Sequence, residues 1–379
     1  MQKNDKTTFK EYPSLITKGF LMGAADVVPG VSGGTMALIL GIYKRLLTAI
    51  KSVDTKAINH LFRLKVTDFF SVFHWKFLLA LVSGIGMAII FFTRIIPLQV
   101  LMFSHPEPIY GLYFGLILGS IFLLVKNLKQ LEISTFFFIG LGSLIGWWIV
   151  NLVPTQTPES NVFIFISGAL AISAMILPGI SGSFILLILG KYQFILSQIS
   201  KIGSDETVAS LTILGIFAVG MLSGIIFFSR FLSWLLQRFY RPTLSVLIGF
   251  LIGSLSVIWP YQVRTYEKIV QNELMLKTDS KWEKIKGQTG NENLPEYYLI
   301  FQNENPTESL TSQEVTVQKV KKKLIKSEPF FPSFSHADSD SRLKDGLFSL
   351  LFGFFSIAIG LLSVLGIQKL AEIGVNSPN

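Results

Sequence analysis

The sequence predicts an all-α polytopic membrane protein made of two inverted-topology repeats, each a re-entrant broken helical hairpin plus three transmembrane helices. Three observations predict it. First, an apolar segment at 23–43, broken by Pro-Gly and Gly-Gly, returns at 178–192: Pro29 answers Pro178, Ser32 answers Ser181, Gly33 answers Gly182, Gly41 answers Gly190 and Tyr43 answers Tyr192, always 149 residues apart. Two interrupted apolar segments in corresponding halves are a sequence pointer to a transporter binding site. Second, 50% of the 379 residues are hydrophobic and only 15% are charged, against about 25% charged in soluble chains. Third, Lys and Arg gather in alternate connections between the apolar runs, the asymmetry that marks cytoplasmic loops.

Composition narrows the function. The net charge of +9 sits in short connections, which speaks for a bilayer and against a nucleic-acid partner. Cysteine is absent, so disulfides, thiolate metal sites and cysteine nucleophiles are excluded. His60, His74, His105 and His336 lie outside the apolar runs without metal-ligand spacing, and no metal or cofactor is expected. Residues 1–18 are polar and lack the pattern of a cleavable signal peptide, so the first apolar stretch is expected to stay.

The first repeat, 15–153, opens on the broken segment 15–43. The pieces flanking 29–34 are each shorter than the ~20 residues that cross hydrocarbon as one helix. Backbone groups freed by Pro and Gly must face protein or water, so the segment reads as a hairpin that enters and leaves on one side. The connection 44–76 carries Lys44, Arg45, Lys51, Lys56, Arg63, Lys65 and Lys76 against Asp54 and Asp68. The run 77–103 follows, interrupted by Arg94 and Pro97; then come 109–125, with Gly111, Gly115 and Gly119 on one helical face, and 133–153. The second repeat, 162–260 and 343–366, opens on the broken segment 162–192 and continues with spans at 207–229, 244–259 and 347–365. Phe227-Phe228-Ser229-Arg230 echoes Phe91-Phe92-Thr93-Arg94, and Gly249, Gly253 and Ser254 echo Gly115, Gly119 and Ser120. Such small-residue faces pack either within one chain or across a homodimer.

Charge and repeat test one another. If neither broken segment crosses, each half has an odd number of spans and the halves are inverted. With the N-terminus inside, the base-rich connections 44–76, 126–132 and 230–241 fall inside, and the base-poor ones at 104–108, 154–161 and 193–206 fall outside. Residues 261–342 then form an extracytoplasmic insertion, in which bases and acids are equal in number. There 296–301 reads as a strand and 314–325 as a strand or a helix, in either a small domain or a disordered loop.

The stretches Ala25-Asp26-Val27-Val28-Pro29-Gly30-Val31-Ser32-Gly33-Gly34-Thr35 and Leu177-Pro178-Gly179-Ile180-Ser181-Gly182-Ser183 resemble the signature of the PopT-type polyprenyl-phosphate transporters, a bacterial membrane family long known only as a domain of unknown function. The resemblance covers 18–365, apart from an insertion longer than the family leads one to expect. It implies translocation of undecaprenyl phosphate, the lipid carrier of cell-envelope synthesis, across the bacterial cytoplasmic membrane. It implies no residue roles.

The candidate site is therefore argued from chemistry. Ser32-Gly33-Gly34 and Ser181-Gly182-Ser183 each precede a half-helix, where N–H groups and the helix dipole favour an anion; the alternative is that small residues there only permit close packing. Arg94 and Arg230 offer bidentate hydrogen bonds to phosphate, although Arg230 also fits a positive-inside anchor. Asp26, whose repeat partner is Met175, is a candidate for proton coupling, for pairing with an arginine, or for a structural hydrogen bond to freed backbone. Two rival functions stay open. A small-anion secondary transporter fits the repeat equally well. A polyprenyl-diphosphate phosphatase fits less well, because no histidine stands beside Ser32 or Ser181; a carrier rather than an enzyme is expected.

Overall fold

The computed structural model describes residues 7–27, 32–52, 74–96, 98–126, 128, 132–152, 155, 157–203, 205–276, 282, 285, 289–290, 294, 296–301, 314–334, 342–343 and 345–376. Expectations resting on Pro29, Gly30, Lys56, Arg63 and Lys65 lie outside the described residues.

Runs in which proline is confined to the first turn become helices: α1 (Tyr12–Asp26), α2 (Gly33–Ile39), α3 (Tyr43–Lys51), α4 (Trp75–Ile90), α5 (Leu98–Ser104), α6 (Pro106–Lys126), α7 (Ile133–Val150), α8 (Asn161–Ile176), α9 (Gly182–Ile188), α10 (Tyr192–Ser200), α11 (Thr207–Arg238), α12 (Tyr240–Ile258) and α13 (Leu347–Asn376). Among the described residues five helices, α6, α7, α11, α12 and α13, are long and apolar enough to cross a membrane, or up to seven spans if each bent pair, α2 with α3 and α9 with α10, counts as one. Many of their large apolar side chains are exposed, Phe137 at 65% and Phe227 at 73%, which suits a lipid surround. The protein is a mostly helical, multi-pass membrane protein.

The chain divides into two compact units. One comprises Met1–Ile96, Tyr113–Ile258 and Gly360–Asn379; the other comprises Pro97–Leu112 and Trp259–Ile359.

In the first unit the two halves build the same local frame. Glycines let α1 and α4 touch backbone to backbone: a Cβ on Gly19 would overlap the Leu81 carbonyl, and one on Gly84 would overlap that of Ile16. The same contact recurs between α8 and α11, with Gly168 against the Phe217 carbonyl and Gly220 against that of Phe165. The bends also match, at 120° between α2 and α3 and 101° between α9 and α10. At their corners Gly41 and Gly190 have φ of 69° and 64°, which a residue with a Cβ adopts only under strain. This corner is a second break in each half, beyond the one at the Pro-Gly motif. Further glycine contacts join the halves: Gly142 of α7 lies against the Val246 carbonyl of α12, and Gly119 of α6 lies 3.2 Å, at its added Cβ, from the Leu361 carbonyl of α13. These small-residue faces are thus packed within the chain.

Three expectations are corrected. The run 77–103 is not one helix: α4 passes into a π turn (Phe91–Ile95), closed by Ile96 N–H donating to the Phe91 carbonyl at 2.9 Å, and α5 is a separate piece. The span expected to end at 229 continues to Arg238, so Arg230 lies inside α11, and the expected 230–241 connection shrinks to Phe239 between two helices. Nor is the chain all-α.

The second unit contains a three-stranded antiparallel sheet of β1 (Gln262–Leu276), β2 (Glu296–Phe301) and β3 (Glu314–Pro329), in the order β1-β3-β2. Tyr297, Val317 and Val320 are each 1% exposed, and Val317 packs with Ile285 against Trp282 and Ile300. Beside it Tyr261, Phe330, Leu343 and Leu350 form a second core, in which the Tyr261 hydroxyl donates to the Leu350 carbonyl at 2.6 Å. Burial holds the Tyr261 phenol above its usual range.

Candidate functional site

The first break follows α1, whose last residue is Asp26. The chain re-enters helix at Ser32, which is extended (φ −120°, ψ 138°), as an N-cap residue must be. Its Oγ accepts from Gly34 N–H at 3.1 Å and donates to the Met175 carbonyl, also at 3.1 Å. A second free donor at this terminus, Gly33 N–H, is taken by Asp26 Oδ1 at 2.6 Å. Asp26 itself is exposed, while Ser32, Gly33, Gly34 and Thr35 are buried. The first half-helix therefore begins with an internal anion already seated on it.

The second break runs through Leu177, Pro178 and Gly179, the last at φ 83°. Ser181 is again extended before its helix (φ −98°, ψ 134°), yet its side chain caps nothing. It lies instead 2.8 Å from the Ser183 hydroxyl, in an exposed pair. Met175 stands where Asp26 stands in the first half: a Cβ on Gly33 would meet Asp26 Oδ2 at 2.6 Å, and a Cβ on Gly182 would meet the Met175 Cβ at 3.3 Å.

The two breaks are bonded to one another. Besides Ser32 to Met175, the Tyr43 hydroxyl donates to the Ile176 carbonyl at 2.9 Å, and Gly179 N–H donates to Thr35 Oγ1 at 2.8 Å. Gly34 is required here, since a Cβ would come 2.8 Å from both the Met175 and Ile176 carbonyls. The freed carbonyls at the end of α8 are thus satisfied by side chains of the first hairpin, the condition for irregular backbone at membrane depth.

The arginines are placed differently. Arg94 lies exposed in the π turn, a helix defect often found at functional sites. Phe91 and Phe92, just before it, pack on Phe20 of α1 at 5.7 and 5.8 Å between ring centroids. Among the described residues the Arg94 side chain has no hydrogen bond or ion pair. Arg230 is half-buried on α11, where its Nη1 donates to the Ile226 carbonyl at 3.0 Å, four residues back on its own helix.

Sequence reasoning missed Lys191, at the corner between α9 and α10. It is 2% exposed; its ammonium donates to the Thr157 carbonyl at 2.9 Å and faces the rings of Phe163 and Phe194. The signal was present, since Gly190-Lys191-Tyr192 lies in the repeated motif with Ile42 as the partner of Lys191.

Residues 22–275 match the family model described as VCA0040-like: Undecaprenyl phosphate translocase-like. A polyprenyl-phosphate transporter of Vibrio cholerae serotype O1 is 39% identical over 251 residues, covering 66% of this chain and 79% of that protein. A polyprenyl-phosphate transporter of Staphylococcus aureus is 32% identical over 257 residues, covering 65% and 85%. No solved structure matches the chain.

Proposed function

This chain belongs to the VCA0040-like, undecaprenyl phosphate translocase-like family, and from that premise we propose that it carries a polyprenyl phosphate, undecaprenyl phosphate in particular, across the bacterial cytoplasmic membrane to recycle the carrier. The observation behind this reading is the direct bonding of two polar helix breaks through Ser32, Thr35 and Tyr43. A phosphate needs donors at membrane depth, whereas its prenyl tail can remain in lipid.

In this reading the halves are inverted, both termini are cytoplasmic and 261–342 is extracytoplasmic. The phosphate passes between Ser32-Gly33-Gly34 and Ser181-Gly182-Ser183, with Arg94 and Arg230 as charge partners. Ser181 and Ser183 provide an exposed pair of hydroxyls bonded only to one another, while Gly33 N–H becomes available when Asp26 releases it. That exchange gives Asp26 its place as a proton-coupling group: a carboxylate that is protonated gives up a backbone donor to a phosphate more readily than one that is charged. A carrier is favoured over a phosphatase because the Ser32 hydroxyl is committed to Gly34 N–H and the Met175 carbonyl rather than to a base.

Reconstitution into liposomes with labelled undecaprenyl phosphate tests the function, with undecaprenyl diphosphate and a glycerophospholipid as controls. Selective movement of the monophosphate is expected; equal movement of all three, or of none, overturns the reading. Topology is tested with single cysteines at Ser52 and Thr289 and an impermeant thiol reagent on intact cells. Labelling is expected at 289 alone, and labelling at 52 alone overturns the inverted arrangement.

A further inference from the structure

A cavity of about 430 Å³ opens in the first unit beside the corner that joins α2 to α3. Its wall is largely apolar and drawn from several elements, with Leu40 of the corner, Leu124 of α6, Leu247 of α12 and Val364 of α13. Its cations are Lys18 of α1 and Lys44 of α3. This volume falls in the range of small-ligand sites, about 300–1,000 Å³.

The two lysines are uncommitted. Neighbouring Arg45 is held by Glu11 at 2.7 Å and by the Thr7 hydroxyl at 3.0 Å. Among the described residues, by contrast, neither Lys18 nor Lys44 has an ion pair or a side-chain hydrogen bond. Lys18 is half-buried and Lys44 is exposed. Nor do they belong to the repeated frame: the residues 149 positions on are Ser167 and Gln193. Positive charge has been added here beside an apolar wall, and the nearby acid, Glu11, is bonded to Arg45.

The cavity also stands at a useful distance from the break. Lys18 precedes Asp26 by eight residues and Leu40 follows Ser32 by eight, so at 1.5 Å per residue each lies about 12 Å from the break along its own strand of the hairpin.

We propose that this cavity is the cytoplasmic-side holding site for the lipid carrier: Lys18 and Lys44 receive the phosphate, the leucine wall receives the first isoprene units, and the rest of the tail lies in lipid. This rests on the carrier reading above and gives it a point of release, on the cytoplasmic side in the topology proposed there, to which recycling returns the carrier. Charge selects the ligand. A phosphomonoester carries nearly two negative charges at neutral pH, matching two ammonium groups, whereas the phosphodiester of a glycerophospholipid carries about one less.

The test is binding of labelled farnesyl phosphate to the full-length protein in nanodiscs of zwitterionic lipid, with farnesol, inorganic phosphate and phosphatidylglycerol as competitors. Each of Lys18→Gln and Lys44→Gln should weaken binding by about tenfold, the loss of one charge-assisted hydrogen bond. The joint Lys18→Arg, Lys44→Arg variant should bind close to wild type. Farnesol, inorganic phosphate and phosphatidylglycerol should compete poorly. Should the Gln variants misfold, Lys44→Glu at its exposed position gives the same readout, again with loss expected. Unchanged affinity in folded Gln or Glu variants, or equal competition by phosphatidylglycerol, removes this holding site. If liposome translocation of undecaprenyl phosphate persists in those variants, the carrier reading stands without it. Absence of both binding and translocation in wild type removes both.

Discussion

The two broken hairpins share a backbone and differ in their charges. Helices α2 and α9, and α3 and α10, occupy matching residues 149 apart, and their corner glycines have nearly the same φ. Yet the first break holds Asp26 on Gly33 N–H and buries Ser32 as a cap, while the second has Met175 at the matching place and an exposed Ser181–Ser183 pair. Cations differ as well. Lys18 and Lys44 stand uncommitted beside the first hairpin, whereas Lys191 of the second is buried against a carbonyl and two rings. Repetition of the fold has therefore not carried repetition of electrostatics, and one terminus is already occupied by an anion while its counterpart is not.

The largest expected effect comes from adding one methyl group at matching glycines. In Gly182→Ala the new Cβ would meet the Ala171 carbonyl at 2.6 Å, which is backbone and cannot step aside. In Gly33→Ala it would meet Asp26 Oδ2 at the same 2.6 Å, the free end of a side chain. Overpacking against fixed atoms costs about 1–3 kcal/mol, so Gly182→Ala should lower thermal stability clearly more than Gly33→Ala. Equal melting temperatures for the two variants would mean that the breaks are not built as different as their contacts indicate.

Next come the serines. Ser32→Ala removes a helix cap and the donor to the Met175 carbonyl, which should cost about 1–2 kcal/mol. Ser181→Ala and Ser183→Ala remove hydroxyls that cap nothing and should leave stability nearly unchanged while reducing liposome transport. A stability loss at Ser181 matching that at Ser32 would place both serines in the same structural role.

How far the sequence was legible follows from which forces are periodic. Apolar run length and the Gly/Pro breaks located both hairpins and most spans, because helix burial repeats along the chain. A bond from Asp26 to freed backbone was among the readings the sequence allowed, but its partner Gly33 was not legible, since the two stand seven residues apart at the ends of different helices and no periodic rule picks out that spacing. Strand β1 was missed because its polar and apolar residues come in pairs, Glu267-Lys268, Ile269-Val270 and Gln271-Asn272, so the alternation that reveals a strand is lacking. Arg230 resembled a loop base because α11 continues past the apolar run. The sequence showed Gly41 and Gly190 as a repeated pair, but only the φ values identify them as a corner.

Asp26 tests the difference in charge itself. Asn keeps an oxygen for Gly33 N–H but loses the charge, so Asp26→Asn should cost about 1 kcal/mol or less in stability. Its transport, measured against an imposed pH gradient, should lose the gradient dependence of wild type. Met175→Asp is the converse change: it gives the second break a carboxylate at the matching position and should depress transport. Gradient dependence equal in wild type and Asp26→Asn would end the coupling role and leave Asp26 as a structural cap.

The smallest effect belongs to the brace around the first hairpin. Arg45 of α3 donates to Glu11, just before α1, at 2.7 Å, and the matching positions of the second hairpin are Ser160 and Phe194, which cannot pair. The hydrogen bond from Arg45 is the main cause that holds the Glu11 carboxyl below its usual range, reinforced by the Thr8 N–H. A depressed carboxylate contributes stability above its unfolded pKa, and that contribution is lost as pH falls through the folded value. Both side chains are more than a third exposed, at 38% and 39%, so solvent screening leaves only a fraction of a kcal/mol. Limited proteolysis of wild type and Glu11→Gln should therefore differ slightly near neutral pH, at sites within the first hairpin only. The difference should fade as acid protonates Glu11, and fade likewise in high salt at neutral pH. A difference that persists in acid, or appears equally in the second hairpin, would show that Glu11 acts through packing rather than charge, and the hairpins would then lose this part of their contrast.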